Sequence, residues 1–253
     1  MKPYILAETS WLTIKDEHYE LAVLPWGATE AHNLHLPYSA DIIEGEKIAA
    51  GAAKVAWDKG AKVIVLPVIP YGVNTGQRDI RFDINMNPST QSVVLKDIVD
   101  MLNHHGIRKL LIMNSHGGND FRPFIRELGV QYPKMFISTC NFYQALKLEN
   151  YFDEPGDHAG EMETSLLMYL VPELVLPVDK AGKGKEKKIK IKAFREGWAW
   201  AERKWPKVTE DTGIGNPAKA SVQKGERYYN DLTQKIGELM IELATTDIDN
   251  LYE

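Results

Sequence analysis

Between residues 21 and 142, four short apolar runs alternate with three longer stretches of helical periodicity. "LAVLPWG" (21–27), "AKVIVLPVI" (61–69), "RKLLIMN" (108–114) and "KMFISTCNF" (134–142) have the length and β-branched content of strands. "DIIEGEKIAAGAAKVAWDKG" (41–60), "NPSTQSVVLKDIVDMLNHHG" (87–106) and "NDFRPFIRELGVQY" (119–132) read as helices. Gly60 and Gly106 stop the first two, Ser89 or Thr90 is the expected cap of the second, and Pro123 fits the third only within its first turn. Strands alternating with helices imply right-handed βαβ units and a mainly parallel sheet. Near-continuous apolar strands imply that both faces of that sheet are covered. In such sheets ligand sites gather beyond the carboxyl ends of the strands.

The chain has 253 residues, enough for one large α/β domain or two small ones. No repeat, low-complexity tract or linker interrupts it, so one domain over 1–253 is expected. A net charge of −5 gives no reason to expect nucleic acid. Cys140 is the only cysteine, which excludes an intrachain disulfide and suits a reducing cytoplasm. No stretch reaches the roughly 18 apolar residues of a membrane span, and "MKPYILAETSWLT" lacks a signal-peptide core. A cytoplasmic protein without a membrane partner is the expectation.

After residue 170 the pattern loosens. "DKAGKGKEKKIKIKAF" holds seven lysines between positions 180 and 192, and its alternating "KIKIK" predicts an exposed edge strand, with an anion-binding patch as the alternative. The stretch 194–220 is loop-like and carries Trp198, Trp200 and Trp205 without a core of its own, which predicts a homo-oligomer interface. Residues 221–246 close the chain as an amphipathic helix.

Chemistry-bearing residues cluster just after predicted strands. Glu30 and His32 are two apart on an extended segment, so both side chains point the same way. Asp41 follows nine residues later at a helix start. His116 lies in "NSHGGN". His158 and Glu161 are three apart at what reads as a helix start, hence on one face, with Glu163 directed elsewhere. Glu30, His32, Asp41, His116 and Glu161 form an N/O donor set without thiolate, suited to Zn²⁺, Mn²⁺ or Fe²⁺. Five donors exceed the needs of one tetrahedral ion, so two ions bridged by Asp41 are expected, about 3.5–4 Å apart. Each residue also has a plainer role. Asp41 and Glu163 suit helix starts, His35 suits a hydrogen-bonded packing site, and His104 and His105 suit a helix C-terminus. His18 carries no inference.

"LPWGATEAHNLHLPYSAD" (24–41) resembles the signature of the creatininase (creatinine amidohydrolase) family. "NSHGGN", "HAGEMETS" (158–165) and "GIGNPAKASVQKG" (213–225) are similar to its later motifs, in the same order. The resemblance implies a three-layer αβα fold, a binuclear metal centre and a homohexamer. It also implies hydrolysis of a non-peptide or cyclic amide, although the family includes deformylases and a peptide-processing enzyme. Glu30, Asp41 and His116 then match ligands of one ion, His32 and Asp41 those of the other, and His158 a proton-handling histidine. Creatininase has His-Tyr-Glu where this chain has His116-Gly117-Gly118, and its Phe-Pro-Gly-Thr stretch is replaced within residues 71–90. Creatinine is therefore not the expected substrate, and Glu161 is expected to supply the carboxylate missing at Gly118.

The expected chemistry is attack by a water activated between two ions on a polarised carbonyl. The N–H groups of Gly117 and Gly118 would steady the oxyanion, and His158 with Glu161 would handle protons. Arg78 and Arg81 would hold a substrate carboxylate. A two-metal phosphoester hydrolase and a non-catalytic, metal-stabilised binding protein are the competing readings.

Overall fold

The computed structural model describes residues 2–252. After a short helix α1 (Trp11–Ile14) come β1 (Leu21–Trp26), α2 (Ala40–Asp58), β2 (Val63–Val65), α3 (Pro88–His104), β3 (Lys109–Asn114), α4 (Arg122–Gln131) and β4 (Phe136–Asn141). A small antiparallel ribbon follows, β5 (Gly156–His158) with β6 (Ile214–Gly215). Between its strands lie α5 (Glu161–Leu170), α6 (Lys192–Arg195) and α7 (Trp205–Val208), and α8 (Val222–Thr245) ends the chain. The four strands and three helices expected between residues 21 and 142, and the closing helix, are all present. Gly60 and Gly106 take positive φ just past α2 and α3, where a side chain would be strained. The expected Ser89 or Thr90 cap is replaced by Asn87, with Pro88 as the first helical residue. The second strand is shorter than its apolar run, because Pro67 cannot donate to a ladder.

The four main strands are parallel in the order β2-β1-β3-β4. Alternate residues face opposite sides. Leu21, Val23, Leu111 and Met113 pack with α2, α5 and α8, through Ile48, Leu166 and Leu232. Ala22, Leu24, Leu110 and Ile112 pack with α3 and α4, through Leu95, Val99 and Leu128. This is a three-layer αβα sandwich with its apolar sheet buried on both faces. The strand order reverses between β1 and β3, so the crevice above their carboxyl ends is the place where such a sheet presents a site.

The lysine-rich segment corrects the sequence reading. Residues 183–191 form no strand, and Ile189 and Ile191 are exposed. Alternation alone does not make a strand: among the described residues the segment's backbone meets neighbouring backbone only at single points, the Lys187 N–H on the Val208 carbonyl and the Gly184 carbonyl under the Gly215 N–H, and not along a ladder. No helix among the described residues is long and apolar enough to cross a membrane.

Candidate metal centre

Three segments converge at the β1/β3 crevice. Past β1, Gly27 lets the chain pass against the start of α2: a Cβ there would sit 2.9 Å from the Asp41 carbonyl carbon. Ser115, just past β3, donates its hydroxyl to the Asp41 carbonyl at 2.7 Å, tying the first turn of α2 to the sheet. Asp41 thus stands at a helix N-terminus, where the dipole favours an anion. Asn33 bends the chain after His32 in a left-handed conformation, φ +54°. Its side chain takes the N–H of Leu34 at 2.7 Å and of Gly182 at 2.8 Å. The third segment brings His158 on the last residue of β5.

Glu30, His32, Asp41, His116 and His158 are all at most 7% exposed. His32 Nε2 lies 3.0 Å from Asp41 Oδ1, 3.9 Å from Glu163 Oε1 and 4.0 Å from Glu30 Oε1. His116 Nδ1 lies 2.9 Å from Glu30 Oε1 and 3.0 Å from Asp41 Oδ2. His158 Nδ1 is 3.7 Å from Glu30 Oε1.

The opposite nitrogen of each ring fixes its tautomer. His32 Nδ1 faces the Glu30 carbonyl at 3.1 Å, His116 Nε2 the Val73 carbonyl at 3.1 Å, and His158 Nε2 the Ala31 carbonyl at 2.9 Å. A carbonyl oxygen only accepts, so these nitrogens carry the protons. In the neutral rings the other nitrogens then turn lone pairs toward carboxylate oxygens. Acceptor facing acceptor in a dry site is favourable only with a cation between them. Three sets of donor atoms fall within 4.8 Å of one another: Glu30–Asp41–His116, His32–Asp41–Glu163 and Glu30–His32–His158. The first two share Asp41. Asp41 Oδ2 is buried and accepts no hydrogen bond, as suits an atom left for an ion. The residues therefore fit a pair of divalent cations.

Without an ion, the carboxylates draw the same positive charge from protons on the imidazoles. Burial opposes the charged forms of His32 and His116, yet Asp41 and Glu30 outweigh it and raise both imidazoles well above their usual range. Burial likewise works against ionised Asp41 and Glu30, but the imidazoles hold both carboxyls low. Burial raises Glu163, only partly offset by His32 and His158. It also raises Glu44 far above the carboxylate range, reinforced by Glu163 and Asp41.

Glu161 corrects the sequence reading. His158 is not in the helix: α5 begins at Glu161, after Ala159 turns the chain with φ +52°. The helical spacing from His158 therefore does not apply. Glu161 Oε2 accepts the N–H groups of Asp153 and Glu154 at 2.9 and 2.7 Å, and Oε1 pairs with the Lys224 ammonium. Glu163 faces the cluster instead, with Oε2 held by the Ala159 N–H and Oε1 toward His32. Gly118 cannot take the missing carboxylate without rearrangement, because a Cβ there would lie 2.3 Å from the Val73 carbonyl oxygen.

Other expected residues lie at the margin. Gly117 and Gly118 are exposed on the loop after β3, and Arg78 and Arg81 are exposed, with Arg81 stacked on Phe82 at 4.9 Å. His104 and His105 are exposed at the end of α3. His35 is buried and hydrogen-bonds Thr164 at 2.9 Å, as a packing histidine does. Trp198 and Trp200 are exposed, but Trp205 is buried edge-on against His158, its ring centre 5.3 Å away.

Sequence reading missed Gln77, whose amide reaches Glu30, and Asn114. Asn114 accepts the N–H of His116 at 3.1 Å and donates to its carbonyl at 2.9 Å. An isolated amide carries no motif; only the start of "NSHGGN" pointed toward Asn114.

A family model described as creatinine amidohydrolase matches residues 7–240. The chain belongs to the creatininase family. It is 29% identical to a creatinine amidohydrolase of Pseudomonas putida over 176 residues, covering 60% of this chain and 65% of that one. It is 24% identical to a mycofactocin precursor peptide peptidase of Mycobacterium ulcerans, covering 83% and 80%. Among solved structures, a Bacteroides fragilis protein assigned as a creatinine amidohydrolase superposes with a TM-score of 0.93 at 42% identity over both whole chains. A creatininase variant solved in a Zn–Zn form shares the fold, with a TM-score of 0.77 at 21% identity over 97% of this chain and 100% of that one. Creatininase has also been solved with manganese.

Proposed function

We propose that the chain, residues 1–253, is one metal-dependent amidohydrolase domain that cleaves a non-peptide or cyclic amide C–N bond of a small molecule. The observation that supports this most is the set of three buried imidazole nitrogens turned toward carboxylate oxygens, with Asp41 common to two donor sets. Glu30, Asp41 and His116 would hold one ion; His32, Asp41 and Glu163 would hold the other. Two such ions, zinc or manganese with iron also compatible, lower the pKa of water toward neutrality and polarise a carbonyl.

His158 would move protons. Its Nε2–H stays on the Ala31 carbonyl, so Nδ1, facing the cluster, is the atom that would take a proton and pass it to the departing amine. The backbone N–H groups of Gly117 and Gly118 would steady developing negative charge, and Arg78 or Arg81 would hold an acidic group on the substrate. Glu161, paired with Lys224, has no part in this chemistry.

A peptide-type amide is the second reading, favoured by the peptidase relatives that align over more than four-fifths of the chain. The phosphoester reading gains nothing, because both candidate arginines are exposed and outside the donor sets. The exposed Trp198 and Trp200 support a homo-oligomer, a hexamer by family resemblance. The single cysteine supports a cytoplasmic location. The test is metal content combined with a turnover screen of cyclic amides, formamides, short peptides and phosphodiesters. Turnover confined to phosphodiesters, or two bound ions without turnover of any amide, would reject the reading.

A further inference from the structure

Glu30 uses its two oxygens for different purposes. Every close approach to an imidazole is made by Oε1: His116 Nδ1 at 2.9 Å, His158 Nδ1 at 3.7 Å and His32 Nε2 at 4.0 Å. Oε2 instead accepts the side-chain amide N–H of Gln77. Gln77 is 6% exposed and lies in the stretch that replaces the family's Phe-Pro-Gly-Thr segment.

The loop around Gln77 is held on both sides. On its inner side the Val73 carbonyl takes the His116 ring proton, and the Val73 N–H goes to Asn119 at 3.1 Å. The Asp83 carboxylate takes the Ala31 N–H at 2.8 Å, and the carbonyl of the same residue receives the His158 proton. On its outer side Thr75 donates to Glu202, and the Arg203 carbonyl lies so close to Gly76 that a Cβ would sit 2.1 Å from it. Gln77 is thus presented to Glu30 from a fixed frame. Its own Oε1 is buried without a partner, a poor arrangement for stability alone.

We infer that Gln77 is a positioning residue for the first metal site: its amide occupies one Glu30 oxygen, so that Glu30 offers the ion the other oxygen alone. This rests on the metal reading above. A neutral amide is suited to the task. It orients the carboxylate without cancelling the charge that the ion needs, whereas a cation there would compete with the ion. Without the amide, Glu30 loses its hold and both oxygens are free to rotate.

The experiment titrates EDTA-stripped full-length wild-type protein and Gln77→Met with Mn²⁺, by calorimetry and by electron paramagnetic resonance. Methionine keeps the length and removes the donor. The expected result is two ions in the wild type with a spin-coupled signal. In Gln77→Met one site should weaken by roughly tenfold to a hundredfold. The second site should be retained, the coupled signal lost at limiting Mn²⁺, and the melting temperature of the stripped protein unchanged. Unchanged affinity at both sites would overturn the assignment to Gln77 alone. So would equal weakening of both sites with a lower melting temperature of the stripped protein, which marks a merely structural role. Wild-type protein that takes up no Mn²⁺ would overturn the metal reading and this inference with it.

Discussion

The first turn of α5 carries a buried and a partly buried glutamate that meet opposite environments. Toward α8, Glu161 is neutralised by the Lys224 ammonium and two backbone N–H groups. Toward the sheet, Glu163 meets His32 and the carboxylates of Asp41 and Glu44, and among the described residues no side-chain ammonium or guanidinium pairs with it. The first carboxylate is complete within the protein; the second belongs to a cluster that the proposed cations would balance. Two residues along a helix turn a side chain through roughly 200°, enough to separate structure from chemistry. The same α5 turn shows a third way to bury an ionisable group: Thr164 hydrogen-bonds His35, which gives up its charge.

The comparison can be broken most severely at Asp41, the residue shared by both donor sets. Asp41→Asn should lose both ions and all hydrolysis, as read by elemental analysis and turnover; a variant keeping two ions would remove the bridge from the scheme. Next in size is Glu163→Gln. It should release the ion held with His32, keep the one held with Glu30 and His116, and drop turnover to background without lowering the melting temperature of the stripped protein. Full metal content would show that Glu163 is no ligand.

Glu161→Gln should do the reverse. Both ions should stay, while loss of a buried charge from its partner costs about 1–3 kcal/mol in denaturant unfolding, moderated because Lys224 is partly exposed. Loss of an ion here would return Glu161 to the metal site.

The smallest effect concerns His35. Burial, helped by His32, lowers its pKa from 6.5 to about 4. The unfolded chain therefore binds more protons between those values. The stability that neutral His35 provides is complete above about pH 6.5 and is lost as pH falls toward 4. Relative to His35→Gln, wild-type protein should lose about 1–2 kcal/mol more between pH 7 and 5, measured by urea unfolding. Parallel pH profiles for the two proteins would rule out that role.

Much was determined locally. Apolar runs of strand length and helices with glycine stops specified a parallel sheet, because each such element has only one way to bury its face. The segment from Glu30 to Asp41 and the His116 loop could be read directly, since each follows a strand and carries donors in a short span. Which glutamate faces the cluster was beyond local pattern. It depends on where α5 begins, set by the left-handed Ala159 and by Lys224 arriving from α8, some sixty residues away in sequence. The amides of Gln77 and Asn114 were hidden for the same reason: a neutral side chain acquires a role only from what it touches. Sequence by itself determined the fold class and most of the residues that gather at the crevice, because periodicity and side-chain chemistry are local. Tertiary structure alone decided the pairing of each buried charge, because burying a charge requires a partner that the chain supplies from elsewhere.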